Sequence, residues 1–156
     1  MDYKDRIERA VELFNSGFNC SQSVVAAFAD MYGFSEEQAL RMSASFGGGI
    51  GRMRETCGAA CGMFLLAGLE CGTTDPKDRE GKSYNYKVVQ ELAAKFKEMN
   101  GSLRCADLLG VLKEKNTTHV AEARTAEYYA KRPCPKMVET AATIWAEKLK
   151  ELRGEE

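Results

Sequence analysis

Apolar residues recur at helical spacing along nearly the whole chain, and no segment alternates as a half-buried strand does. Ile7, Ala10, Val11 and Phe14 repeat at i, i+3, i+4 and i+7, and Gly17 stops that helix. Asn19 with Gln22, and Ser35 with Gln38, form two capping-box signatures. The first opens a helix with Val24, Phe28 and Met31 on its stripe, ended by Gly33; the second opens a short helix through Leu40 to about Phe46. A helix is expected from about Glu55 to Cys71. Another is expected from about Lys82 to Met99, with Val89, Leu92, Phe96 and Met99 on one face and Gly101 after it. Ser102 is read as the cap of a short helix ending at Leu109-Gly110, and Thr117 or Thr118 as the opening of a weak one. The last helix begins at Pro133-Cys134-Pro135, where proline suits the first turn, and turns Val138, Ala141, Ala142, Trp145 and Leu149 to the core. The expected fold is all-α: one compact multi-helix bundle over residues 1–156, with no repeat, linker or low-complexity tract.

A chain of 156 residues with 44% apolar and 29% charged residues can bury a core without a disulfide or a metal. Nothing in the formal net charge of −1 points to nucleic acid or an anionic membrane. The start is charged and lacks a secretory signal, and the longest apolar stretch, Cys57 to Leu69, is too short to span a bilayer. A cytoplasmic location is therefore expected.

Six cysteines are the unusual feature. In a reducing compartment several cysteines point to metal or redox chemistry more than to disulfides, although a free cysteine also packs well as a small hydrophobe. Four of them, Cys20, Cys57, Cys105 and Cys134, fall at expected helix N-termini. There the unpaired N–H groups and the positive dipole end favour a thiolate, the form that ligates metal and attacks disulfides. Arg54, Arg104 and Arg132 lie near three of them in sequence. Cys61 stands inside a helix and Cys71 near a helix end. In Cys57-Gly58-Ala59-Ala60-Cys61-Gly62, Cys57 and Cys61 share a face, and the interior glycines Gly58, Gly62 and Gly68 call for close approach by another helix or by a bulky inorganic group. Gly47-Gly48-Gly49-Ile50-Gly51 reads as a turn with positive φ that brings backbone near the cysteines. It lacks the Gly-Lys-Ser/Thr ending of a phosphate loop. The lone His119 reads as an exposed or hydrogen-bonded residue, and Glu36-Glu37 as helix-entry charges.

These residues resemble the C_GCAxxG_C_C family of redox-active proteins. The matching elements are Asn19-Cys20-Ser21-Gln22, Phe46-Gly47-Gly48-Gly49-Ile50-Gly51-Arg52-Met53, Cys57-Gly58-Ala59-Ala60-Cys61-Gly62, Cys105-Ala106-Asp107-Leu108-Leu109-Gly110 and Cys134. The resemblance implies a helical fold and a redox or metal role, with the family cysteines on Cys20, Cys57, Cys105 and Cys134. A similar domain occurs beside haem segments in some iron–sulfur cytochromes, which favours a cluster.

Four chemistries stand open. Four thiolates suffice for a [2Fe–2S] or [4Fe–4S] cluster, here 37, 48 and 29 residues apart rather than in a local run. Metal-independent thiol chemistry fits the same helix starts, but no C-x-x-C is present. Zinc usually takes paired close ligands, and a structural bundle with packed cysteines needs no ligand. The leading expectation is an iron–sulfur site at Cys20, Cys57, Cys105 and Cys134 that exchanges electrons with a redox partner protein. A homo-oligomer is left open.

Overall fold

Local side-chain chemistry sets most of the helix boundaries. The computed structural model describes residues 2–110 and 118–155. Its helices are α1 (Lys4–Asn15), α2 (Cys20–Ala26), α3 (Glu36–Ser43), α4 (Gly58–Cys71), α5 (Arg79–Asn100), α6 (Cys105–Leu109), α7 (Ala126–Lys131) and α8 (Cys134–Leu152). Among the described residues there is no strand, and one isolated antiparallel bridge pairs Thr56 with Arg104. The fold is all-α.

Both expected capping boxes form. The Asn19 side chain accepts from the Gln22 N–H at 2.9 Å, and the Gln22 side chain accepts from the Asn19 N–H at 3.0 Å. Ser35 and Gln38 repeat the arrangement at the start of α3. Gly17 and Gly33 end their segments in the left-handed region, open to glycine at no steric cost. A short 3₁₀ turn, Ala29–Tyr32, follows α2, and another, Ala44–Phe46, follows α3.

The core closes around α4. This helix is apolar on nearly every side and packs against α2, α5 and α8, which is why it has no polar face. Gly62 lets α2 come close: a Cβ there would stand 2.9 Å from the Cβ of Val24. Val138, Ala141, Ala142, Trp145 and Leu149 of α8 are fully buried, as are Phe14, Val24, Phe28, Leu92 and Phe96. Each large side chain hidden in this way contributes about 1.5–3 kcal/mol relative to exposure.

Several expected boundaries shift. The helix expected from Glu55 begins at Gly58, because residues 55–57 are drawn into the bridge with residues 103–105. Ser102 does not cap α6; its hydroxyl accepts from the Arg104 N–H and donates to Asp107. Thr117 lies outside the described residues, Thr118 opens no helix, and Thr125 caps α7 instead, accepting from the Tyr128 N–H. On α5, Val88 takes the buried place expected of Val89, and Met99 is exposed. Gly68 meets nothing within 4 Å of a built Cβ, so no close approach explains that glycine.

Candidate functional site

Each of the four cysteines singled out in the sequence sits at a helix start. Cys20, Cys105 and Cys134 are the first residues of α2, α6 and α8, and Cys57 is the N-cap of α4. All four line one cavity of about 400 Å³. Cys20, Cys57 and Cys105 are buried, and Cys134 is half-buried. Cys61 and Cys71 do not line it. The Cys61 thiol donates weakly to the Thr56 carbonyl, and the Cys71 thiol to the Ala67 carbonyl one turn back along α4. Cys57 and Cys61 thus share a helix face but not a site.

Two backbone devices hold the cysteines. The first is the Thr56–Arg104 bridge: the Cys57 N–H donates to the Leu103 carbonyl at 2.7 Å, and the Cys105 N–H donates to the Glu55 carbonyl at 2.6 Å. Residues 48 apart in sequence are tied by their own main chains. The second is the glycine turn. Gly48, Gly49, Ile50, Gly51 and Arg52 all take positive φ, and Arg54 does so again at 61°. For a β-branched residue such as Ile50 this is a genuine outlier, and each non-glycine residue there costs about 1–2 kcal/mol. The turn presses against the cysteines. A Cβ on Gly49 would stand 2.5 Å from the Cβ of Cys105, and a Cβ on Gly58 would stand 2.8 Å from the Phe46 carbonyl oxygen and 3.4 Å from the Cβ of Cys20.

Among the described residues, four guanidiniums line the same cavity, those of Arg52, Arg54, Arg124 and Arg132, against the single carboxylate of Glu122. Arg54 is only 3% exposed and donates to the Cys105 sulfur at 3.7 Å. Arg52 donates to the Thr118 carbonyl at 2.7 Å, to the Val120 carbonyl and to Glu122 at 3.0 Å. Arg132 is paired with Glu122 and lies over the Tyr128 ring. Arg124 donates to the Phe14 and Phe18 carbonyls at 3.0 and 2.7 Å, with its guanidinium carbon 4.4 Å from the Phe14 ring centre. Arg104, named with the others from sequence, is exposed and does not line the cavity. Arg52 stood in the glycine-rich element, but Arg124, Glu122 and Tyr128 carried no local signal in the sequence; the fold alone gathers them. His119 is exposed on the cavity rim.

Helix starts and arginines do not lower every thiol. Burial raises Cys57 to about 12, with the Ala60 and Ala59 N–H groups opposing it. Burial also raises Cys105, against the hydrogen bond and charge of Arg54. Cys20 and Cys134 act as a pair. Cys134 is lowered to about 7, first by the hydrogen bond from Cys20 and then, against burial, by the charges of Arg132, Arg124 and Arg54. Cys20 is raised, first by that same hydrogen bond and then by burial. The shared hydrogen bond pushes the two thiols in opposite directions, so Cys134 is the easier of the pair to deprotonate. Elsewhere desolvation outweighs the dipole.

Four thiols could hold a metal or cluster here. They ring the cavity rather than meet at a point: among the described residues, no three His, Cys, Asp or Glu side chains are gathered closely enough for one metal ion. No helix among these residues is long and apolar enough to cross a membrane.

Comparison with known proteins agrees with the constellation. A family model described as "Putative redox-active protein (C_GCAxxG_C_C)" matches residues 18–148. An uncharacterized protein of Archaeoglobus fulgidus is 33% identical over 107 residues, which cover 64% of this chain and 71% of that one. No solved structure matches. The family match takes in all four lining cysteines and the turn that packs on them, and the chain belongs to the C_GCAxxG_C_C family of redox-active proteins.

Proposed function

We propose that the chain is an electron-transfer module whose Cys20, Cys57, Cys105 and Cys134 hold an iron–sulfur cluster and whose electrons pass to and from a separate redox protein. The observation that carries this reading is the arrival of four thiols, from four helix starts, at one cationic cavity. The donor set is that of a [2Fe–2S] or [4Fe–4S] cluster. A thiolate-ligated cluster is anionic, and the guanidiniums of Arg52, Arg54, Arg124 and Arg132 on the cavity wall supply opposing charge. Gly49 supports it too, since a side chain there would crowd Cys105. When bound, such a cluster supplies one-electron chemistry. The chain's own residues hold it, shield it and set the charge around it. A single zinc ion is a poorer match, because its four sulfurs must stand about 3.8 Å apart and the thiols here ring the cavity.

The Cys20–Cys134 pair favours a second reading, metal-independent thiol redox chemistry: two hydrogen-bonded thiols close to a disulfide by giving two electrons and two protons to an oxidised partner disulfide, which leaves as two thiols. One experiment separates the two. The protein is purified without oxygen, its visible spectrum recorded, and iron, zinc and acid-labile sulfide measured. Stoichiometric iron and sulfide with charge-transfer absorption support the cluster. Colourless, metal-free protein that also fails anaerobic reconstitution overturns it.

A further inference from the structure

Arg54 is held more tightly than any surface arginine could be. Its backbone is left-handed at φ 61°. Its N–H donates to the Gly48 carbonyl at 3.2 Å, and its carbonyl accepts from the Ala106 N–H at 3.3 Å, inside the first turn of α6. Its side chain is 4% exposed, lies 3.7 Å from the Cys105 sulfur and reaches the Glu122 carboxylate at 3.8 Å. A buried cation in a costly backbone conformation persists only where its surroundings over-determine it. Here the glycine turn, α6 and Glu122 all do so. The described side-chain partners of Arg54 are a cysteine sulfur, that of Cys105, and the Glu122 carboxylate. Arg52, on the same turn, donates to main-chain carbonyls and Glu122 instead.

The geometry points to Arg54 as the residue that sets the reduction potential of the cysteine site, with Glu122 as its counterweight; this rests on the cluster reading above. An electron added to a thiolate-ligated centre increases the negative charge on its sulfurs. A guanidinium fixed on the Cys105 sulfur stabilises that added charge more than the oxidised state, so it raises the potential. Glu122 faces Arg52, Arg54 and Arg132 together and draws part of their charge away, so it lowers the potential. Arg54 is thus a positioning residue that acts through Cys105.

The test is a mediated potentiometric titration of the anaerobically reconstituted protein, with dithionite as electron donor. Four chains are compared: wild type, Arg54→Gln, Glu122→Gln and Arg104→Gln. Iron, sulfide and helical circular dichroism are recorded for each. Arg54→Gln should reduce the ratio of reduced to oxidised site at a fixed poise about tenfold, a fall of ~59 mV for one electron. Glu122→Gln should move it the other way, and Arg104→Gln should leave it in place. If Arg54→Gln unfolds, the sign of the Glu122→Gln shift still decides. A loaded wild type whose potential is unchanged in both cavity variants, or shifts equally in Arg104→Gln, overturns the assignment of Arg54 alone. A wild type that takes up no iron and sulfide overturns the cluster reading and this one with it.

Discussion

Replacing Gly49 with alanine tests whether the glycine turn is shaped around Cys105. The position has φ 73°, so a side chain there costs about 1–2 kcal/mol from backbone conformation alone. The new Cβ would also stand 2.5 Å from the Cβ of Cys105 and 2.8 Å from both the Arg54 Cα and the Glu55 nitrogen. Two of these three atoms are main chain and cannot rotate aside, so the turn must open away from residues 54–55 as well as from Cys105. Overpacking of this kind costs about 1–3 kcal/mol more. Gly51→Ala is the matched control. Gly51 has φ 59°, but the nearest atom to its built Cβ is the Ser45 carbonyl oxygen at 3.9 Å, an ordinary contact. Gly51→Ala should therefore cost only about 1–2 kcal/mol, and Gly49→Ala about 2–5 kcal/mol. The assay is equilibrium urea unfolding of the metal-free chains followed by circular dichroism, with equal m-values confirming comparable unfolding. At this chain length the gap also reads as about 2–4 °C of melting temperature per kcal/mol. Equal destabilisation of the two variants would show that the contact with Cys105 imposes nothing and that backbone conformation alone selects glycine.

Other outcomes follow from the same geometry. Cys134→Ser should lower the iron retained after anaerobic reconstitution, whereas Cys61→Ser and Cys71→Ser, outside the cavity, should leave it unchanged; equal retention in all three variants would remove Cys134 from the ligand set. Asn19→Ala should cost about 1–2 kcal/mol in urea unfolding, more than Ser35→Ala, because Asn19 also donates to the Ala44 carbonyl at 3.0 Å; equal costs would show that this extra bond contributes nothing. The Glu70 carboxyl is held below the ordinary glutamate range, first by its two hydrogen bonds from Arg153 at 2.7 and 2.8 Å. Its contribution to stability is therefore complete above the unfolded glutamate value and fades as pH falls through the lower folded one. Urea midpoints measured between pH 3 and 6 should fall more gently with acid in Glu70→Gln than in wild type, and parallel curves would refute the assignment.

The sequence carried those parts of the fold that depend on neighbours within a turn. The Asn19–Gln22 and Ser35–Gln38 boxes were legible because donor and acceptor are three residues apart, and the α8 stripe was legible because one face packs throughout. Asp78 went unread, although its side chain accepts from the Gly81 N–H, and α5 accordingly starts three residues before its expected place. The late start of α4 could not be seen locally, since the partners of residues 55–57 lie some 48 residues on. The same division runs through the site. The cysteines stood out because their positions coincide with cap, glycine and proline signals. Arg124 and Glu122 did not, because nothing near them in sequence indicates that α7, α8 and the glycine turn will enclose them. Arg54 was noticed for its neighbour Cys57, but its guanidinium serves Cys105. Reading thiol chemistry from helix starts alone also overstated the dipole, since it omitted the burial that raises Cys57 and Cys105.

The left-handed backbone of residues 48–52 and of Arg54 also has a stereochemical meaning. D-amino acids at positions 50, 52 and 54 would occupy the basin natural to their own configuration and release the backbone cost carried by Ile50, Arg52 and Arg54. They would also reverse the direction in which each side chain leaves its Cα. The guanidiniums of residues 52 and 54 would then swing off Glu122 and the Cys105 sulfur. Handedness at two α-carbons, those of Arg52 and Arg54, therefore aims the cations. A semisynthetic chain with D-arginine at position 54 would have the more relaxed main chain and the less cationic cysteine pocket.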